Sequence, residues 1–222
     1  MSLSNWTQYL LGTPTVEIDF PTPITDAGSL HIACAANQKA LLLSQAYTLG
    51  LTKGRMRSLF RIDTVTGPDT YRCGFTLFHS AADILLSGYA YLYGIAMRTS
   101  TSLTKAFFDI CTTGLDTGRT RYFDGPSFSR VNGVTIIALE VEWAYEPTLL
   151  NGTRFILREG HGTLTDFSNL VTIATVELYP GMGIANAPFL PTSTAEGLYL
   201  SGGTTSTLVD IRIDDTKIVL LT

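Results

Sequence analysis

An all-β fold, built as two packed sheets or as a sheet closed into a barrel, is the class this sequence predicts, and three observations predict it. Short apolar runs recur through residues 28–222, separated by Gly, Asn, Asp, Ser and Thr, which favour turns. Beyond residue 27 no stretch carries the 3.6-residue period of an amphipathic helix. The third observation is the clearest strand, residues 134–146. Its odd positions Thr135, Ile137, Leu139, Val141, Trp143 and Tyr145 form an apolar and aromatic row, while the even positions turn from Val134, Ile136 and Ala138 to Glu140, Glu142, Ala144 and Glu146. Successive strand side chains point to opposite faces, so one face of this strand is buried throughout and the other passes from covered to charged.

Residues 1–27 read differently. Ser4 caps a short predicted helix over residues 5–11, with Trp6, Tyr9 and Leu10 on one face and Gly12 at its end. Pro14, Pro21 and Pro23 then hold residues 16–20 extended. The segment reads as an assembly arm, with Trp6, Tyr9, Leu10 and Phe20 as its contact residues, lying on the domain or on a neighbouring subunit; the alternative is an ordinary first strand of the sandwich. Residues 28–222 form the second unit.

Within it, strands are predicted over 29–35, 40–44, 54–62, 71–79, 89–97, 105–111, 121–123, 134–145, 153–158, 169–178, 197–200, 205–213 and 217–221. In 54–62, Met56, Phe60 and Ile62 oppose Arg55, Arg57 and Arg61, which gives a half-exposed strand with a positive outer row. In 89–97, Tyr89, Tyr91, Tyr93, Ile95 and Met97 oppose Ala90, Leu92, Gly94 and Ala96, so the strand is covered on both sides or its tyrosines form a surface platform. In 205–213, Thr207, Val209, Ile211 and Ile213 face a core, and Asp214-Asp215-Thr216 is expected to turn tightly into 217–221 as a closing hairpin.

With 222 residues, a single all-β core is expected. Charged residues make up 15%, below the roughly 25% usual in soluble proteins, which points to a surface that meets other protein. The net charge is −4 with no Lys/Arg cluster, so nucleic acid is not an expected partner. Cys34, Cys73 and Cys111 are odd in number and sit in apolar runs, where they act as small hydrophobes and imply no disulfide framework. No secretory signal and no apolar run of about 18 residues is evident. Neither export nor membrane insertion is expected.

The order of several segments resembles the concanavalin A-like lectin/glucanase jelly roll, particularly its laminin G-like branch. These are Gly28-Ser-Leu30, Arg57-Ser-Leu-Phe-Arg61, Tyr71-Arg-Cys-Gly-Phe-Thr-Leu-Phe78, Glu140-Val-Glu-Trp143, Asn151-Gly-Thr-Arg-Phe-Ile-Leu157, Gly197-Leu-Tyr-Leu200 and Val209-Asp-Ile-Arg-Ile-Asp-Asp215. The resemblance covers residues 28–222 and implies a two-sheet antiparallel jelly-roll sandwich. The Thr/Ser/Gly-rich, low-charge composition is also similar in style to virion components of tailed bacteriophages.

Glucanases of the resembled family carry a Glu-x-Asp-x-Glu or Glu-x-Asp-x-x-Glu strand in which two carboxylates, about 5–5.5 Å apart, serve as nucleophile and acid/base. Here Glu142 stands at the middle Asp and Glu146 falls late, so the motif is broken. A turn centred near residue 149 supplies another reading, in which Arg158 lies opposite Glu140, and Arg154 lies opposite Ala144 and diagonal to Glu142. Such cross-strand charge pairs contribute about 0.2–1 kcal/mol each. Tyr89, Tyr91 and Tyr93 are candidates for stacking on sugar rings. Asp166, Asp210, Asp214 and Asp215 are oxygen donors of the kind Ca²⁺ prefers, but no EF-hand spacing exists, and His31, His79 and His161 are scattered singly, so no metal or cofactor is expected. His79 and His161 are expected to satisfy local hydrogen bonds.

The function expected from these features is a non-enzymatic virion structural protein, a tail or capsid-decoration component assembled in a host cytoplasm. Its partners would be other virion proteins and copies of itself. The alternatives are a lectin-like module that recognises a surface glycan and, behind it, a glycoside hydrolase using Glu140 and Glu142.

Overall fold

A computed structural model of the protein describes residues 3–20, 23–25, 28–43, 53–66, 72–79, 90–96, 103–111, 118–146, 148–149, 151–163, 166–182, 195–202 and 208–221. Fifteen strands run through them in chain order: β1 Thr7–Leu11, β2 Thr15–Asp19, β3 Ser29–Cys34, β4 Lys39–Leu43, β5 Lys53–Thr66, β6 Arg72–His79, β7 Ala90–Ala96, β8 Leu103–Cys111, β9 Arg119–Asp124, β10 Phe128–Ser129, β11 Ile136–Glu146, β12 Gly152–Gly162, β13 Val171–Leu178, β14 Ala195–Ser201 and β15 Leu208–Leu220. They pair antiparallel in two sheets. One has the order β1-β4-β14-β6-β7-β8-β10, with β9 also on β8, and the other the order β13-β12-β11-β5-β15-β3-β2. Among the described residues there is no α-helix; a single 3₁₀ turn, Leu3–Asn5, precedes β1.

The period-2 patterns place the core between the sheets. From the second sheet come Met56, Phe60, Leu139, Val141, Trp143, Phe155 and Ile211, and from the first Phe75, Tyr91, Tyr93 and Phe108, all essentially inaccessible. Burying large side chains of this kind contributes about 1.5–3 kcal/mol each. The first sheet bears apolar residues on its other face too, where Leu41, Leu92, Phe107 and Tyr199 are also inaccessible.

On the outer face of the second sheet, Leu59, Ile136 and Ala138 are covered by Ile24, with Phe167 and Leu170 packed alongside. This explains the change of character along the even positions of β11: the covered half lies under these side chains, and the charged half begins where they end.

Two expectations are corrected. The segment predicted as a helix over 5–11 is strand β1, which pairs with β4, and β2 pairs with β3. Residues 7–19 therefore supply one edge strand to each sheet. Trp6 and Ile18 pack on the core, whereas Leu10 and Phe20 stay 44% and 70% exposed. An unpaired edge of an existing sheet offers five extended residues a full ladder of hydrogen bonds, which outweighs the helical preference of so short a run.

The closing hairpin is likewise one continuous strand. Both halves of β15 pair with β5, Asp214 with Leu59 and Lys217 with Arg57, so the chain gains one residue on its partner. Asp215, at φ 46°, forms a β-bulge rather than a turn. Ser58 Oγ donates to the Asp214 carbonyl at 2.8 Å and lies 2.7 Å from Thr216 Oγ1, filling the bulge.

Candidate functional site

The hairpin β11–β12 aligns Glu140 with Arg158 and Ala144 with Arg154. Arg158 Nη1 donates to Glu140 Oε1 at 2.6 Å and to Glu142 Oε2 at 3.2 Å. Arg55 Nε stands 3.7 Å from the other Glu140 oxygen. Arg154 reaches past Glu142 to Glu146 at 2.7 Å and to Glu177 on β13 at 2.8 Å. Both glutamates of the broken glucanase motif thus hold one guanidinium, and Glu140 is buried.

The tyrosine platform is corrected. Tyr91 and Tyr93 point between the sheets, where Tyr91 packs 5.2 Å from the Phe155 ring and the Tyr93 hydroxyl donates to the Arg158 carbonyl at 2.8 Å. With burial first and then the charges of Glu159 and Glu140, the Tyr93 phenol is pushed well above its ordinary value. Both rings are unavailable to a ligand at the surface; Tyr89 lies outside the described residues.

The aspartates are occupied by protein groups. Asp214 Oδ2 accepts from Thr25 N–H at 2.8 Å, Thr25 Oγ1 at 2.6 Å and Ser29 Oγ at 3.1 Å, tethering the segment that covers Leu59. Asp210 faces His31 Nε2 at 2.7 Å, and Glu17 faces His31 Nδ1 at 2.9 Å. Asp166 caps the turn at Ser168, and Asp215 pairs with Lys217. Among the described residues no group of three or more His, Cys, Asp or Glu is placed to hold a metal ion.

The structure assembles a different site at one end of the sandwich. The core-facing row of β12 runs from Phe155 and Leu157 into Glu159 and His161, which lie opposite Leu139 and Ile137 of β11. Phe128 of β10, a strand of the other sheet, packs against this end. Its ring stacks on His161 with centroids 4.1 Å apart and planes 3° from parallel. Beside the pair opens a cavity of about 310 Å³, lined also by Pro126, Ser127, Asn169, Val171 and Ile173.

Glu159 is only 7% exposed, and burial pushes its carboxyl above the ordinary range against the opposing effect of His161. His161 Nδ1 lies 3.1 Å from Glu159 Oε1. A carboxylate only accepts, so Nδ1 is the donor and Nε2 is left as an acceptor in the neutral ring. The cavity therefore presents a flat aromatic wall, a buried carboxylate and an imidazole nitrogen, groups able to seat a small polar ring. It lies beyond the sites expected from the sequence, because the strand predicted over 153–158 ends before Glu159 and His161. The available signal was Glu159 and His161 at i and i+2, in phase with Phe155 and Leu157.

No protein-family model matches the chain, and neither does any curated protein sequence; solved structures do. A legume lectin-like domain from Entamoeba histolytica aligns with TM-score 0.52 and 10% identity over 99% of this chain and 92% of its own. A PL-14 alginate lyase from Aplysia kurodai aligns with TM-score 0.59 and 8% identity over 93% and 87%. An endo-β-1,4-glucuronan lyase from Trichoderma reesei aligns with TM-score 0.56 and 12% identity over 99% and 92%. The protein has the lectin-like jelly-roll fold. At these identities the likeness is one of fold, and the fold serves lectin-like and lyase proteins alike.

Proposed function

We propose that the protein is a carbohydrate-binding module that holds a sugar ring in the Phe128–His161–Glu159 cavity without transforming it. The observation that carries this reading is the convergence, in one cavity of about 310 Å³, of a stacked aromatic pair with a buried carboxylate and an amide side chain. Apolar faces of sugar rings stack on such walls, and hydroxyls pair with the polar groups of the lining. The lectin-like neighbours support binding as the role. The engagement of Glu140 and Glu142 with Arg158 supports a module that does not hydrolyse. A glycan array probed with wild type and His161→Ala tests it: a wild-type signal that falls at least tenfold in a variant of unchanged circular dichroism is expected. A blank wild-type array, or a variant that binds equally well, refutes it.

The exposed Leu10 and Phe20 on the edge-strand segment favour a second reading, assembly into a larger particle such as a virion. Light scattering of wild type against Leu10→Ser/Phe20→Ser tests that reading, which predicts an oligomer for the former and a monomer for the latter; a wild-type monomer ends it.

A further inference from the structure

The cavity beside Glu159 has a charge of its own, and that charge selects among sugars; the inference rests on glycan binding at this cavity. Its described lining residues include one carboxylate and one imidazole but no lysine and no arginine. The nearest cation in sequence, Arg158, points to the opposite face of β12, where it holds Glu140 and Glu142. Of the two Glu159 oxygens, Oε1 meets His161 Nδ1, and Oε2 accepts no hydrogen bond from a described residue.

A buried carboxylate with one open oxygen, apolar walls and no full countercharge attracts a ligand that brings positive charge or strong donors. It repels a second carboxylate, because two such groups at close range do not both ionise. We propose that this cavity takes an amino sugar, with its ammonium group on Glu159 Oε2, and turns away uronates. The fold gives no such preference by itself, since two of the structural neighbours are lyases of alginate and glucuronan, both uronate polymers. The preference lies in the side chains at this end of the sandwich. Burial pushes the Glu159 carboxyl up, and an ammonium ligand, as a countercharge, opposes that shift by stabilising the ionised form.

The test is calorimetric titration of the intact protein with a β-1,4-linked glucosamine tetramer, its fully N-acetylated counterpart and a uronate tetramer, at a pH where the amine is protonated. Wild type, Glu159→Gln and His161→Ala are compared. Wild type is expected to bind the glucosamine tetramer at least tenfold more tightly than the N-acetylated one, about 1.4 kcal/mol, and the uronate not measurably. Glu159→Gln, which keeps size and shape, is expected to lose the amine preference. Equal affinity for the two tetramers, with both lost in His161→Ala, overturns the charge selection and leaves glycan binding standing. A preference for amine that survives Glu159→Gln, or binding of the uronate, also overturns it. Failure of all three saccharides to bind wild type removes the site itself.

Discussion

Substituting alanine for Gly54 probes how tightly β5 and β11 lock the core. Gly54 lies opposite Trp143, and a Cβ built on it would sit 2.2, 2.6 and 2.8 Å from Trp143 Cζ2, Cε2 and Cη2. The indole is wholly inaccessible and packed from both sheets, so it has no free rotamer to adopt. Overpacking of this kind costs about 1–3 kcal/mol. Against it stands the gain of about 0.5–1 kcal/mol from replacing a strand glycine, since the backbone here is not left-handed. Gly54→Ala should therefore destabilise wild type by about 1–2 kcal/mol. In a Trp143→Leu background the clash is gone, and the same substitution should stabilise by about 0.5 kcal/mol. The resulting coupling of about 2 kcal/mol falls within the range for residues in contact. Urea unfolding of the four proteins, followed by far-ultraviolet circular dichroism, measures it. An identical effect of Gly54→Ala in both backgrounds would refute the packing argument.

Arg158→Met strips Glu140 of its main countercharge; breaking a fully buried pair costs about 3–5 kcal/mol, but with Arg158 24% exposed and Arg55 still 3.7 Å away, a loss of about 2 kcal/mol is expected, largely recovered by adding Glu140→Leu. Since burial raises the folded-state pKa of Glu159 above its unfolded value, that carboxyl favours the fold at low pH, and the contribution is lost as pH rises through the raised value. Glu159→Gln should therefore match wild type in acid and exceed it in melting temperature increasingly above the ordinary carboxyl value of 4.5; an advantage that shrinks with rising pH contradicts this. Burial pushes the Cys34 thiol up to about 12, and Cys73 and Cys111 are equally inaccessible. A thiol reagent at pH 8 should titrate none of the three in native protein and all after unfolding. Deleting residues 1–20 removes an edge strand from each sheet, so a clear fall in melting temperature is expected; an unchanged value contradicts this.

The sequence by itself determined the fold class and much of the strand map, because alternation is a local property that a buried face imposes on its own strand. Strand β11, with Trp143 and Tyr145 on one row and Glu140 and Glu142 on the other, shows this, and a turn near residue 149 is enough to bring Arg158 opposite Glu140. Local patterning does not say what covers a face. The Tyr91 and Tyr93 row suited a core first and a platform second, and the packing of β12 over it, with Phe155 against Tyr91, assigned it to the core. The N-terminal segment was ambiguous for the same reason: its state depends on the open edges of β3 and β4, which belong to other parts of the chain. So was Asp214-Asp215-Thr216, which forms a turn or a bulge according to which strand receives the residues after it, and both halves of β15 found β5. The Glu159–His161 cavity was the least legible of all. It exists where β10 of one sheet meets β12 and β13 of the other, and such a meeting is set by tertiary topology rather than by any spacing along the chain.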